Sequence, residues 1–404
     1  MTVWIEAPFD SLPVEGYRKQ RYWLMAEAFA RAGHRVVYWT SDFSHANKRR
    51  RSVPDGVAAD LPFSLVLLPT PPYRRNVCPA RIRSHRAYAA VWGRTALDAV
   101  DSGRSARPDL MVISAPPVST GVVAIRLARR FGARLVVDVQ DAWPETFSRL
   151  LPRGFGWLGA LVFHGMRTAM RRLYCAADLV TGVCDRYGPL VKAYGAREYY
   201  RAYLGIDMAI GCGAQRREGG ELRLAYVGNL GKSYDLKTVT EGVRRLNAEG
   251  RRRVVLEIAG FGGAVPESPF VRFHGMLGAD ELRELLSACE IGVIPMQSDS
   301  FVGIPNKLGE YAAAGLKVVS SLTGETEDLI ARYGCGATYR AGDAESFAQA
   351  VKSVAEIPGE AALALAKAEL AADRIYPDYV RRVAELCQPH ERPHPRTPQP
   401  GPTR

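Results

Sequence analysis

Short runs of apolar, mostly β-branched residues alternate along the chain with longer segments whose apolar positions recur every three to four residues. The runs are Val3–Ala7, Arg35–Thr40, Phe63–Leu68, Leu110–Ser114, Leu135–Val139 and Leu179–Val183, then Leu222–Val227, Val254–Ile258, Phe270–Phe273, Ile291–Ile294 and Val318–Ser321. Continuous apolarity marks strands covered on both faces, as in a parallel sheet. The segments between them, such as Arg21–Ala32, Ser119–Arg130, Leu236–Ala248, Ala279–Ala288 and Lys307–Ala314, carry the helical period. The pattern predicts an α/β chain built as two doubly wound, Rossmann-like halves in sequence. The boundary is expected near Tyr203–Met208, giving domains at about 1–204 and 205–375. Helices are expected at Ala344–Ala355 and Ala361–Ile375, after which Pro377 precedes a last amphipathic segment, Tyr379–Leu386. That final helix, about 376–387, is expected to pack back on the first domain. Residues 388–404 are rich in proline, lack large apolar side chains and are expected to be disordered.

At 404 residues the chain exceeds what one hydrophobic core organises, in keeping with two domains. The composition, 47% hydrophobic and 24% charged, is that of a soluble globular protein. No window approaches the 18 or so apolar residues of a spanning helix. The first residues, Met1-Thr2-Val3-Trp4-Ile5-Glu6, lack a basic leader and run straight into a strand, so a cytoplasmic location is expected. Seven cysteines, widely spaced and without a C-x-x-C pair, argue against a disulfide framework and a zinc site. The net charge of +12 comes largely from arginine, clustered at 48–51, 74–75, 81–86, 171–172 and 251–253. Such a surface favours phosphates or acidic headgroups, although a general arginine enrichment would produce it too. No nucleic-acid recognition motif accompanies it, and nucleic acid is not an expected partner.

The densest chemistry lies in Ile304-Pro305-Asn306-Lys307-Leu308-Gly309-Glu310-Tyr311-Ala312-Ala313-Ala314-Gly315. A helix that starts after Pro305 presents free N–H groups and a positive dipole end, which suits a phosphate. Glu310, among small residues, can accept hydrogen bonds from a sugar diol such as ribose. Two glycine loops follow strands upstream: Gly228-Asn229-Leu230-Gly231-Lys232 and Gly260-Phe261-Gly262-Gly263. Their glycines let a backbone approach a ligand, and Lys232 can set its ammonium beside a diphosphate. In a parallel sheet these turns share one rim, so they are expected to converge with Glu310 on one crevice. In the first half, Glu15-Gly16-Tyr17-Arg18 follows a strand; Gly16 amides and Arg18 can face phosphates across that crevice, or the loop can be a solvated surface turn. Asp141 and Glu145, at the end of another strand, are placed on the facing rim; Asp141 can orient a sugar hydroxyl or cap the next turn. His45 is a lesser candidate for that rim. No His, Asp or Glu cluster has metal-ligand spacing.

On these residues the second half resembles the donor-binding domain of family-4 glycosyltransferases, enzymes of two facing Rossmann-like domains known as the GT-B fold. The matching runs are Tyr226–Asp235, Ile258–Gly262, Phe273-His274-Gly275 and Pro305–Gly315. The first half is similar to a subgroup found in bacterial surface-polysaccharide clusters, through Glu15–Tyr22, Gly33–Val36, Thr40–His45 and Asp138–Glu145. The resemblance, over about residues 1–385, implies retaining transfer of a sugar from a nucleotide sugar, UDP-linked rather than GDP-linked, to a glycan or lipid-linked acceptor, with no cofactor and no metal. It implies that Glu310 holds the ribose, Lys232 the leaving diphosphate, and the Gly260–Gly262 loop the nucleotide, with Pro305 and Asn306 at the same site. Two positions depart from the family pattern. Val302 stands where a second glutamate, eight residues before Glu310, is usual, and Asn229 where many members have an arginine. Lys307, one turn before Glu310, is expected to supply the missing cation. A histidine near the first-domain rim is replaced by Gln140 or Asp141. The basic, apolar stretch from Arg149 to Arg172 suits either an anionic membrane surface or packing within the first domain. The alternatives are a nucleotide-sugar epimerase of the same fold and a catalytically silent nucleotide-sugar-binding subunit.

Overall fold

The computed structural model describes residues 1–53, 59–148, 161–211, 220–231, 233–250, 252–298, 300–355 and 357–388. Lys232, the start of the basic stretch (149–160), most of the glycine-rich 211–220 segment and the tail beyond Gln388 lie outside them. Fifteen strands are described: β1 (Thr2–Glu6), β2 (Arg35–Ser41), β3 (Phe43–Ser44), β4 (Arg49–Arg50), β5 (Ser64–Leu68), β6 (Leu110–Ala115), β7 (Arg134–Val139), β8 (Leu179–Gly182), β9 (Tyr199–Arg201), β10 (Leu222–Asn229), β11 (Val254–Phe261), β12 (Val271–Phe273), β13 (Ile291–Ile294), β14 (Lys317–Ser320) and β15 (Gly336–Thr338). They form two parallel sheets, ordered 5-2-1-6-7-8-9 and 12-11-10-13-14-15, and one antiparallel hairpin, β3–β4, beside the end of β2. This is the GT-B arrangement, two parallel-sheet α/β domains in tandem.

The inner strands are the continuous apolar runs of the sequence: Val3, Trp4 and Ile5 of β1 and Leu110 to Ile113 of β6 are fully buried. Two of the four edge strands, β9 and β15, escape that pattern because each has three residues, and none of the six is fully buried. β10 and β11 run two or three residues past their apolar stretch, since Gly228 and Gly260 remain paired in register. The main departure comes near the carboxyl end. The break falls not before Pro377 but at Ala371, where the backbone is extended and bridges to Ile206. The helix Ala372–Ala384 then contains Pro377 as its sixth residue and is held by Tyr376, Tyr379, Val380 and Val383, buried with helix Arg21–Arg31 and β1 in one core.

The bond pair Ile206 N–H to Leu370 carbonyl (2.8 Å) and Ala372 N–H to Ile206 carbonyl (2.9 Å) therefore clips the outgoing and returning connections together. Beneath it lies a buried ion pair. Arg21, at the start of its helix, donates bidentately to Asp138 at the end of β7, both at 2.8 Å, and its remaining nitrogen reaches the carbonyls of Ala202 (3.0 Å) and Tyr203 (2.9 Å). Thr181 donates to the same carboxylate at 2.6 Å. The Arg21 guanidinium holds the Asp138 carboxyl below its ordinary range against the opposing effect of burial. Contacts between the domains continue at Asp185, whose N–H donates to Glu325 (2.8 and 3.1 Å), and at Arg186, stacked on Phe301 at 4.2 Å.

Breaking a buried pair leaves one charge unmatched in a low-dielectric setting, which is costly. Arg21→Met is expected to lower the unfolding free energy by about 3–5 kcal/mol. Urea titration measures it; a loss below about 1 kcal/mol would show that the pair does not anchor the fold.

Candidate active site

The carboxyl ends of the two sheets face each other across a cleft of about 600 Å³. In the second domain the glycine pair Gly228/Gly260 forms its wall. A Cβ on Gly260 would lie 1.8 Å from the Gly228 carbonyl oxygen, and both residues have positive φ, 153° and 128°. Only glycine allows two adjacent strands to end so close together and still present bare backbone to a ligand.

Helix Asn306–Ala313 enters beside that wall. Pro305, in extended backbone, starts it, and Gly315 at φ 74° follows its end. Tyr311 fixes its rotation: the ring lies where a side chain on Gly292 would stand, and its hydroxyl accepts from the Val227 N–H at 2.9 Å. Gly309 allows the helix to rest against Ile206 of the connection, 3.3 Å from where its Cβ would be. With those faces spent, Pro305, Asn306, Lys307 and Glu310 line the cleft.

Lys307 and Glu310 are nearly buried, 8% and 3% exposed. The Lys307 ammonium sits over the rings of Tyr234 (4.1 Å) and Tyr226 (5.0 Å), and its Nζ is 2.9 Å from where a Cβ of Gly228 would be. Burial, with Arg18 nearby, pushes this amine down to about 8. No carboxylate among the described residues pairs with it. A cation that is dry, held by π faces and unpaired is one whose counter-charge is supplied by a ligand. Glu310 instead is met by Arg18 from the opposite domain, an ion pair that crosses the cleft.

The first-domain wall consists of Gly16, Tyr17, Arg18, Gln140 and Asp141, with Tyr187 at its base. The loop before Arg18 is held by Arg51, whose buried guanidinium contacts the Glu15 carboxylate and donates to the Ser41 carbonyl at 2.8 Å. No donor among the described residues reaches the Asp141 carboxylate, so it does not cap the following turn. Although its side chain faces the open cleft, the surrounding protein raises its pKa, an effect that Arg81 opposes.

The sequence reading and the structure part company at several residues. Phe261 lines the cleft, half exposed, but Asn229 and Gly262 stand outside the lining, with the Asn229 side chain packed over the glycine turn. Glu145, placed on the rim by its position after β7, lies one helical turn further on and is engaged by Tyr194 and, at 3.6 Å, by Arg167. His45 lies away from the cleft, beside Tyr73. Val302 does line the cleft, half-buried. The residues that pattern reading missed are mostly apolar or aromatic: Tyr17, Tyr187, Tyr234, Met276, Leu282 and Met296. Of these, Tyr234 had a signal in its place three residues after Gly231, and Tyr17 in its place between Gly16 and Arg18.

Residues 19–203 match the family described as glycosyl transferase 4-like domain, and residues 221–356 match glycosyl transferases group 1. The chain belongs to the family-4 glycosyltransferases of GT-B fold. Solved structures agree in fold. Sucrose-phosphate synthase from Thermosynechococcus elongatus superposes with a TM-score of 0.68 at 13% identity, covering 95% of this chain and 98% of that one. HepE of Anabaena, in complex with UDP and glucose, gives 0.64 at 12% identity over 96% and 100%. WaaG, a glycosyltransferase involved in lipopolysaccharide biosynthesis, gives 0.61 at 14% over 95% and 99%. No curated protein sequence matches the chain significantly. Among the described residues of this glycosyltransferase no group of three or more His, Cys, Asp or Glu is arranged to hold a metal ion, and no helix is long and apolar enough to cross a membrane.

The glycine wall yields a graded test. Gly260→Ala drives a methyl into backbone and is expected to cost about 3 kcal/mol. Gly16→Ala, at φ 83° with nothing within 4 Å, is expected to cost only the left-handed strain, about 1 kcal/mol. Thermal melts of both variants decide; equal losses would mean that the close strand approach is relieved elsewhere.

Proposed function

We propose that this glycosyltransferase moves a sugar, with retention at the anomeric carbon, from a nucleoside diphosphate sugar to a glycan or lipid-linked acceptor in surface-polysaccharide or glycoconjugate assembly. The observation that carries the reading is the Lys307 ammonium, without a carboxylate partner among the described residues, one turn from Glu310 and beside the glycine wall of the cleft. The diphosphate lies along Lys307 and the start of helix Asn306–Ala313, Glu310 takes the ribose hydroxyls, and the base rests against Phe261 and Met276, which are 51% and 68% exposed at the mouth. Lys232, next to Gly231 in sequence, adds a second cation to the leaving group. A uridine donor is favoured over a guanosine one because a structural relative holds UDP.

Reaction on one face of the sugar needs no protein base. The departing phosphate takes the acceptor's proton, while Lys307 and Lys232 offset the charge that builds on it. Asp141 orients a hydroxyl. Arg18 leaves Glu310 when the ribose arrives and turns to the phosphates with the Gly16 amides. Neither a metal nor a cofactor is required by this scheme.

The acceptor side supports contact with an anionic membrane surface: Val77, Ile82, Leu161 and Val162 are 55–73% exposed, within segments carrying several arginines. A second reading, a silent nucleotide-sugar-binding subunit, is favoured by Val302 facing the cleft where a glutamate is usual. An epimerase has less support, since among the described residues Asp141 and Glu310 are the two carboxylates that line the cleft and no histidine does.

Release of UDP or GDP across a panel of donors with mixed acceptors separates these readings: turnover supports transfer, binding without turnover the silent subunit, interconversion of donors the epimerase. Glu310→Ala and Lys232→Ala are each expected to abolish measurable transfer with Tm within about 2 °C of wild type; wild-type rates in either variant would refute the assignment. Lys307 is charged below about pH 8 and neutral above. UDP affinity by calorimetry is therefore expected to fall about tenfold between pH 7 and 9.5, and to lose that slope in Lys307→Met. Co-sedimentation with anionic vesicles at low salt, lost at high salt, tests the surface contact.

A further inference from the structure

Outside the donor cleft, the densest unexplained group of side chains lies on the first domain, where the β3–β4 hairpin meets the segment from 70 to 86. Arg81 sits over three rings, those of Trp143 (5.2 Å), Phe9 (5.3 Å) and Tyr73 (6.0 Å). It donates to His85 Nε2 at 3.2 Å and to the Asn76 carbonyl at 2.8 Å. Lys48 lies over the same Tyr73 ring at 5.1 Å and contacts the His45 carbonyl. Burial and the neighbouring cations push both His45 and His85 down to about 3, so each is neutral. Among the described residues no carboxylate comes within ion-pair distance of Arg81 or Lys48, and none pairs with the surrounding Arg49, Arg74, Arg75, Arg83 or Arg86. Asp141, which lines the donor cleft two residues before Trp143, is the acidic group that feels Arg81.

A structural arginine is normally balanced by a carboxylate or saturated with carbonyls. Arg81 has one carbonyl, one imidazole and three aromatic faces, and Lys48 beside it repeats the pattern. The small cavity beneath, about 10 Å³ between Phe9, Tyr73 and His85, holds no more than a water, so a ligand meets these cations at their open side.

We propose that Arg81 and Lys48, on a floor of Phe9, Tyr73 and Trp143, form a second anion site that holds a phosphoryl group of the acceptor beside Asp141. This rests on the transfer reading above and deepens it. The acceptor is a sugar carrying phosphate, and the site sets which of its hydroxyls reaches the donor. The phosphoryl group belongs either to a soluble sugar phosphate or to a lipid-linked diphosphate, which share the chemistry seen by the two cations.

The full chain, saturated with UDP to fill the donor site, is titrated by calorimetry with inorganic pyrophosphate and with α-glucose 1-phosphate. Binding is expected in wild type, weakened at least about tenfold in Arg81→Met, and partly restored in Arg81→Lys. Lys48→Met is expected to weaken it about threefold. UDP affinity should stay within about twofold in all three variants, which also reports that they are folded. If the UDP-saturated protein binds neither anion, or Arg81→Met binds both as wild type does, the site does not exist. Failure of UDP itself to bind would instead sink the donor reading, and pyrophosphate with and without Arg81 would still decide this one. A polyprenyl diphosphate sugar in detergent, bound about tenfold more tightly than the sugar 1-phosphate, would assign the lipid-linked source; equal affinity would assign the soluble one.

Discussion

The bidentate pair between Arg21 and Asp138 is the constraint on which the active site rests. Arg21 lies three residues after Arg18, and Asp138 three residues before Asp141, so one buried contact sets the origin of both first-domain loops that face the donor cleft. Its remaining hydrogen bonds grip the backbone at Ala202 and Tyr203, where the chain leaves for the second domain. The returning helix closes over this point with Tyr376 and Tyr379. Charge, loop position and interdomain connection are thereby tied to one guanidinium, and a solvent-exposed pair at the same place would be too weak to do so.

Within the cleft the electrostatics are arranged for an anion that arrives with its own sugar. A lone ammonium is held dry between two tyrosine rings, and the carboxylate one turn away is matched by an arginine from the other wall. Opposite charges across a gap draw the walls together. On the proposed reading, a ligand that offers phosphates to the cations and hydroxyls to Glu310 would replace that contact, and its binding would then be coupled to the relative position of the two domains. Asp141 lines the cleft on the first-domain side and lies within electrostatic reach of Arg81, so the cleft's charged groups continue onto that domain.

Much of this was legible in the residues, for physical reasons that differ from place to place. Buried parallel strands announce themselves by uninterrupted apolarity, so the inner strands of both sheets could be placed to within a few residues. Gly228, Gly260 and Pro305 were conspicuous because few residue types tolerate those backbones, and Lys307 and Glu310 because charge inside an apolar helix is rare. The edge strands β9 and β15 were silent, being short and only partly buried. Pro377 misled, because the helix runs on through this proline at its sixth residue, its missing hydrogen bond outweighed by Tyr376 and Tyr379 buried on either side of it.

The order of apolar and polar residues by itself determined the class of fold, the tandem of two sheets, and the chemistry gathered around Lys307 and Glu310, since these follow from local geometry and side-chain type. What it left open was which distant groups meet. That Arg18 reaches Glu310, that Glu145 is spent on Tyr194 and Arg167, and that Arg81 stacks on Trp143 depend on how two rigid domains dock and on which face of a turn is buried. Those are properties of packing in three dimensions, and no spacing along a chain encodes them.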